Sequence, residues 1–143
     1  MITDFKAYDD LVLIFSNDMT KVLLLEGSGK LDGIFYHSDT KISEVDISKK
    51  IKEELDLEIA PKNWRIVTTL QNINKIQHLT VMMTFADLEK IKDLVVKNIA
   101  NNKIRIISID KIPDNCLPQL RWLIPMAIDT AVFGCEFNQI LTK

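Results

Sequence analysis

Between positions 46 and 54 the carboxylates of Asp46, Glu53 and Glu54 flank the ammonium of Lys50. Several hard carboxylate oxygens on one helix flank hold a hydrated divalent cation. Such a cation draws charge from phosphate oxygens and activates water, the work needed to cleave a phosphoanhydride. Lys50 opposes that chemistry. At about 100° per residue, with Ile51 taken as the buried zero, Lys50 falls near 260°, between Glu54 near 300°, Asp46 near 220° and Glu53 near 200°. Its spacings to these carboxylates, three and four residues, are those at which helical side chains pair. The expectation is an ammonium ion-paired with Glu53 and Glu54, neutralising them and competing with any metal.

These residues need a helix. Ile47, Ile51 and Leu55 recur every fourth position from Ser43 to Leu55, one buried stripe, and Pro61 forbids continuation much further. Around it the signals are sheet-like. Leu11–Phe15 and Lys21–Leu25 flank the polar turn Ser16–Thr20 as a hairpin, and Gly27, Gly29 and Gly33 punctuate a loop before a short strand Ile34–Tyr36. Trp64–Leu70 and His78–Phe85 predict a second antiparallel pair around a turn from Asn72 to Gln77, and Ile104–Ile109 a further strand. Asp87–Val96, with Leu88, Ile91, Leu94 and Val95, fits a helix or irregular chain. A last helix begins near Pro118 and runs through Trp122 toward Phe133, bent at Pro125. Strands on both sides of an amphipathic helix, with a helix at the end, predict an α/β/α sandwich with a mixed sheet between helices.

Composition sets the class. The 143 residues, 47% apolar and 27% charged with a formal charge of −2, suit one globular domain able to bury a core. No basic stripe suggests binding to duplex nucleic acid, and no apolar run is long enough to span a membrane. Cys116 and Cys135, widely spaced in apolar contexts, read as buried thiols suited to a reducing cytoplasm.

Lys49-Lys50-Ile51-Lys52-Glu53-Glu54-Leu55-Asp56-Leu57 resembles the Nudix box, usually written Arg-Glu-aliphatic-any-Glu-Glu-any-Gly-aliphatic. The hairpin Leu11–Leu25, the loop Gly29–Ile34, Trp64, Ile112-Pro113 and Leu120–Ala127 extend the resemblance over about residues 8 to 129, most closely to small MutT-like members from bacteria and phages. It implies a Nudix-fold domain over 1–129, in a cytoplasm (the host's, for a phage protein), and an apolar tail over 130–143 that docks on the domain or on a second subunit. Within the family frame Phe35 falls at the opening glycine, Lys41 at the isolated glutamate, Lys49 at the arginine, Lys50 at the first metal-binding glutamate and Asp56 at the closing glycine. Asn102 falls about where relatives place a further acid. Only Glu53 and Glu54 match the acidic set.

Three functions follow. The first is a pseudoenzyme that binds or sequesters a nucleotide-like small molecule, with Phe35, Tyr36, His37, Lys50 and Arg121 as ligand residues, and lysines meeting phosphate in place of metal. The second is an active pyrophosphohydrolase of nucleoside diphosphate derivatives, with Mg²⁺ or Mn²⁺ on Glu53 and Glu54 and Glu44 or Asp46 as relocated ligands. The third is an interaction module for a protein partner or a homodimer. Phe35 and Tyr36 either pack or stack on a base, and Arg121 meets a phosphate or a carboxylate. His37 and His78 read as surface or packing residues, Trp64 and Trp122 as core. Gly27-Ser28-Gly29-Lys30 lacks the leading glycine and the hydroxyl of a phosphate loop and reads as plain loop.

Overall fold

Alternating apolar and polar runs of β-branched side chains become one nine-stranded sheet in the computed structural model, which describes residues 5–72, 76–93, 98–99, 102–134 and 140–142. The strands are β1 (Ala7–Ser16), β2 (Lys21–Gly27), β3 (Lys30–Asp32), β4 (Ile34–Ser38), β5 (Arg65–Asn72), β6 (Gln77–Ala86), β7 (Asn98–Ile99), β8 (Asn102–Ser108) and β9 (Ile140–Thr142). Their order is β7-β8-β2-β1-β6-β5-β9, with β3 on β2 and β4 on β1. β1 runs parallel to β6 and β5 parallel to β9, and the other pairs are antiparallel. The β1–β2 turn is held by Asp18, which accepts from the hydroxyls of Ser16 (2.6 Å) and Thr20 (2.7 Å) and from the Thr20 N–H. These bonds hold its carboxyl down at about 2.

Each face of the sheet carries a helix. Helix α1 (Glu44–Leu55) buries Ile47, Ile51 and Leu55 against Val12, Ile14, Leu23 and Met82, and α3 (Leu120–Phe133) buries Leu120, Leu123, Ile124 and Ala127 against Leu13, Phe15, Leu24 and Met83. Alternate residues of β1 thus feed opposite layers, as the pleat requires. Ser43 caps α1 in a reciprocal box with Asp46, worth about 1 kcal/mol. Asp56 ends α1 in the left-handed region at φ 56°, a conformation that favours glycine and that aspartate also tolerates.

Several expectations change. β3 forms inside the stretch read as loop. Pro118 lies in the turn before α3, where its carbonyl accepts from Arg121 N–H. Trp122 is 41% exposed: the buried stripe of α3 runs through Leu120, Leu123, Ile124 and Ala127, so position 122 faces outward. Trp64 is buried, its indole N–H donating to Ser48 Oγ at 2.9 Å. The helix after Asp87 spans only Glu89–Asp93 (α2), and Leu94 and Val95 lie outside the described residues, as do residues 73–75 of the expected turn. α3 passes through position 129 without a break. In the tail, Cys135 and Phe137 lie outside the described residues, whereas Ile140–Thr142 pairs with β5.

Candidate functional site

Five elements converge on a cleft of about 430 Å³ at one edge of the α1 layer: β2 brings Leu25 and Gly27, β3 Lys30 and Asp32, β4 Phe35 and Tyr36, α1 Glu54 and β8 Asn102. Its volume lies in the range of small-molecule sites. The β2–β8 register sets Glu26 opposite Lys103, so the next pair outward is Gly27 and Asn102. A Cβ on Gly27 would fall 2.1 Å from Asn102 Oδ1, and the missing side chain lets the amide lie across the strand.

Tyr36 organises the inner wall. Its hydroxyl donates to Glu54 Oε2 at 2.9 Å, and Lys50 Nζ stands 5.4 Å from its ring centroid, a cation–π distance. Burial and the neighbouring Glu54 charge push the Tyr36 phenol far above its ordinary value of 10. Lys50 forms no ion pair with Asp46, Glu53 or Glu54, which corrects the expectation from helix spacing: the ring of Tyr36, from β4, offers the ammonium a desolvating face that the helical wheel does not contain. Asp32 accepts from the Gly33 N–H through Oδ1 at 2.7 Å, and burial raises its carboxyl pKa. Phe35 is 49% exposed and, one residue before Tyr36 and paired with Leu11, projects from the other face of the sheet.

The remaining sequence candidates go elsewhere. Glu53 lines a larger recess of about 720 Å³ on the opposite flank of α1, with Val45, Lys49, Lys52 and Ile59. That recess is open to solvent, and Lys52 within it is already paired with Asp56 (2.9 Å) and Glu58 (3.4 Å), so the cleft is the better-formed site. His37 pairs with Asp9 outside the cleft. Arg121 reaches the Pro113 carbonyl and the Asp114 carboxylate, both at 3.3 Å, and does not line the cleft. Asp46 is engaged with Ser43 in the helix cap.

One polar cluster had no signal in the sequence. Asp10, fully buried in β1, meets Lys41 Nζ at 3.3 Å, and the same ammonium donates to Thr80 Oγ1 at 2.8 Å. Burial raises the Asp10 pKa and Lys41 partly offsets it. Asp10 Oδ2 and His78 Nδ1 are both buried without a protein partner among the described residues. His78 packs against Phe5 and Tyr8, and burial lowers its pKa. Lys41 is 31 positions from Asp10 and 39 from Thr80 in sequence, and the three meet only through the β1–β6 register and the loop before α1.

No family model matches the chain, and no curated protein matches it closely. Solved structures do. An ADP-ribose pyrophosphatase from Streptococcus suis superposes with a TM-score of 0.63 at 16% identity, covering 94% of this chain and 98% of that one. A Nudix hydrolase from Nitrosomonas europaea gives 0.63 at 13% identity, covering 99% and 82%. The chain has the Nudix fold. Within that fold Glu54 of α1, Tyr36 of β4 and Asn102 of β8 line one cleft.

The donors of this cleft do not fit a divalent cation. Its carboxylates are Asp32 and Glu54 alone, each with one oxygen already bonded to a protein donor, and Glu53 opens onto the other flank. Among the described residues no three His, Cys, Asp or Glu side chains group as a metal site would require, and no helix is long and apolar enough to cross a membrane.

Proposed function

We propose that this Nudix-fold chain binds a nucleotide-like small molecule in the 430 Å³ cleft and does not hydrolyse it with the help of a metal. One observation carries the reading: Glu53 and Glu54, the two surviving acids of the box, line separate recesses, and the one in the cleft is bonded to Tyr36. Charge stabilisation at a phosphoanhydride needs several oxygens on one cation, and this arrangement offers at most one helix carboxylate. Asp46, a candidate replacement ligand, closes the cap of α1 instead. The fold supplies the cleft, while its chemistry has to be argued from the side chains.

The test is turnover of ADP-ribose, nucleoside triphosphates and NADH with Mg²⁺ or Mn²⁺, alongside thermal shifts with nucleotides and nucleosides in chelator. Binding without turnover is expected. A saturable rate in the wild type that disappears in both Glu53→Gln and Glu54→Gln overturns the proposal, because contaminating activity would survive those substitutions.

A further inference from the structure

Helix α3 is apolar on both of its faces. Its inner stripe of Leu120, Leu123, Ile124 and Ala127 fills the core, yet Trp122, Pro125, Val132 and Phe133 are exposed, and with Asp129 they recur every three or four residues along the outside. Six large apolar side chains stand exposed among the described residues, and three of them, Trp122, Val132 and Phe133, belong to this stripe. Phe133 is 73% exposed. On α1 the outward positions are instead Lys49, Lys52 and Glu53, the usual arrangement for a helix with one side in water. A helix that is apolar all round is a covered one, so the outer face of α3 calls for a partner.

The charges on α3 say which partner fits. The helix holds one base, Arg121, and one acid, Asp129, and both are exposed. They stand four residues before and four residues after Pro125, about 6 Å along the axis on either side. A second α3 laid antiparallel on the first, with a twofold axis at Pro125, brings Arg121 of each copy level with Asp129 of the other. The same register sets Trp122 level with Ile128. The Asp129 carboxylate makes no ion pair or hydrogen bond among the described residues. Arg121 has only solvent-exposed contacts, at 3.3 Å to the Pro113 carbonyl and to the fully exposed Asp114, and such contacts are weak and readily exchanged. An antiparallel pair satisfies both charges twice and closes on itself, leaving neither apolar stripe open.

We infer that the occupant of this face is a second copy of the chain, in a symmetric dimer of antiparallel α3 helices with an Arg121–Asp129 pair on each side of the twofold axis. One helix face per copy lies at the low end of specific interfaces, which sets the dissociation constant at about 1–100 µM. The dimer is independent of what the cleft binds.

Sedimentation equilibrium of the full chain from about 1 to 300 µM tests it. The wild type is expected to pass from monomer to dimer over this range; a monomer throughout, or an assembly larger than a dimer, overturns the inference. The charges then test the register. Arg121→Asp and Asp129→Arg each set like charges opposite one another and should weaken association about tenfold or more. An equimolar mixture of the two variants should dimerise again, because one copy then presents two acids and the other two bases. The chain carrying both changes should associate like the wild type. Val132→Lys, outward on the same stripe, gives a second route to loss of the dimer, and none of these positions is in the core, so melting temperatures should stay near that of the wild type. A dimer indifferent to both charge reversals and to Val132→Lys, or folded single variants that do not recover when mixed, also overturns the inference.

Discussion

The substitution Tyr36→Phe removes a single oxygen and isolates the bond that holds Glu54. The ring stays, with the contact to Lys50, and the 2.9 Å hydrogen bond is lost. Hydrogen bonds to charged groups contribute about 1.5–3 kcal/mol, and partial solvent access at the cleft places this one at the lower end, about 1–2 kcal/mol. For a chain of this length that is a fall in Tm of about 3–8 °C at pH 7. Alkaline pH gives a sharper reading. The folded phenol sits far above 10, raised first by burial and then by Glu54, so the unfolded chain loses its proton first. The contribution is intact below about pH 10 and is lost as pH rises above it, by about 1.4 kcal/mol at pH 11. The phenylalanine variant has no proton to lose at this position, and lysine titrations cancel in the comparison. Urea unfolding of both proteins at pH 8 and pH 11 should therefore show a gap at pH 8 that closes or reverses at pH 11. A gap under about 0.5 kcal/mol at pH 8, or one that is the same at both pH values, refutes the account of Tyr36 as the holder of Glu54.

Lys50→Glu removes the cation from the Tyr36 ring and adds a carboxylate four residues before Glu54, costing about 0.5–1.5 kcal/mol in chelator. Added Mn²⁺ should restore the melting temperature of this variant and leave the wild type unchanged, and calorimetry showing equal Mn²⁺ affinity in both contradicts the reading of Lys50 as the block. Lys41→Met leaves Asp10 buried without its cation and should cost about 1–3 kcal/mol at neutral pH, discounted for the half-exposed ammonium. The folded Asp10 pKa is raised, so its contribution is present below about pH 4 and lost as pH rises through the folded value. The deficit should therefore be small in urea melts at pH 4.5 and large at pH 7.5, and an equal deficit at both excludes Asp10 as its source.

Local rules made much of the fold legible. The Ile47–Ile51–Leu55 stripe and the alternating strands are properties of consecutive residues, and each has its counterpart in α1, β1, β2, β5 and β6. β3 was not legible because three residues become a strand only through β2 on one side and, on the other, the bonds of Leu31 with Asn115 and Leu117. Trp122 was misread because its apolar character says nothing about which side of α3 it occupies. Of the residues lining the cleft, the sequence had singled out Phe35, Tyr36 and Glu54, whereas Asp32 was hidden in an apparent loop. Helix spacing pointed Lys50 at Glu53 and Glu54 and missed its partner, since the Tyr36 ring arrives from another element. Asp10 and Lys41 meet only through tertiary structure, and no sequence window contains both together with Thr80.

The parallel β1–β6 ladder has a consequence for the newly made chain. One edge of β1 is covered early by neighbours in sequence, β2 at Ile14–Leu23 and Phe15–Val22 and β4 at Leu11–Phe35 and Val12–Ile34. The other edge waits for β6, where Val12 pairs with Met82. Throughout synthesis of the intervening chain, Leu11-Val12-Leu13-Ile14-Phe15 presents an open edge on an uncharged apolar segment of the kind that seeds intermolecular sheets. Asp9 and Asp10 stand immediately before it, where charge interrupts such association. The acid that is costly to bury at the centre of the folded sheet thus guards the most adhesive stretch of the nascent one, and Lys41 neutralises that guard only once the sheet has closed over it.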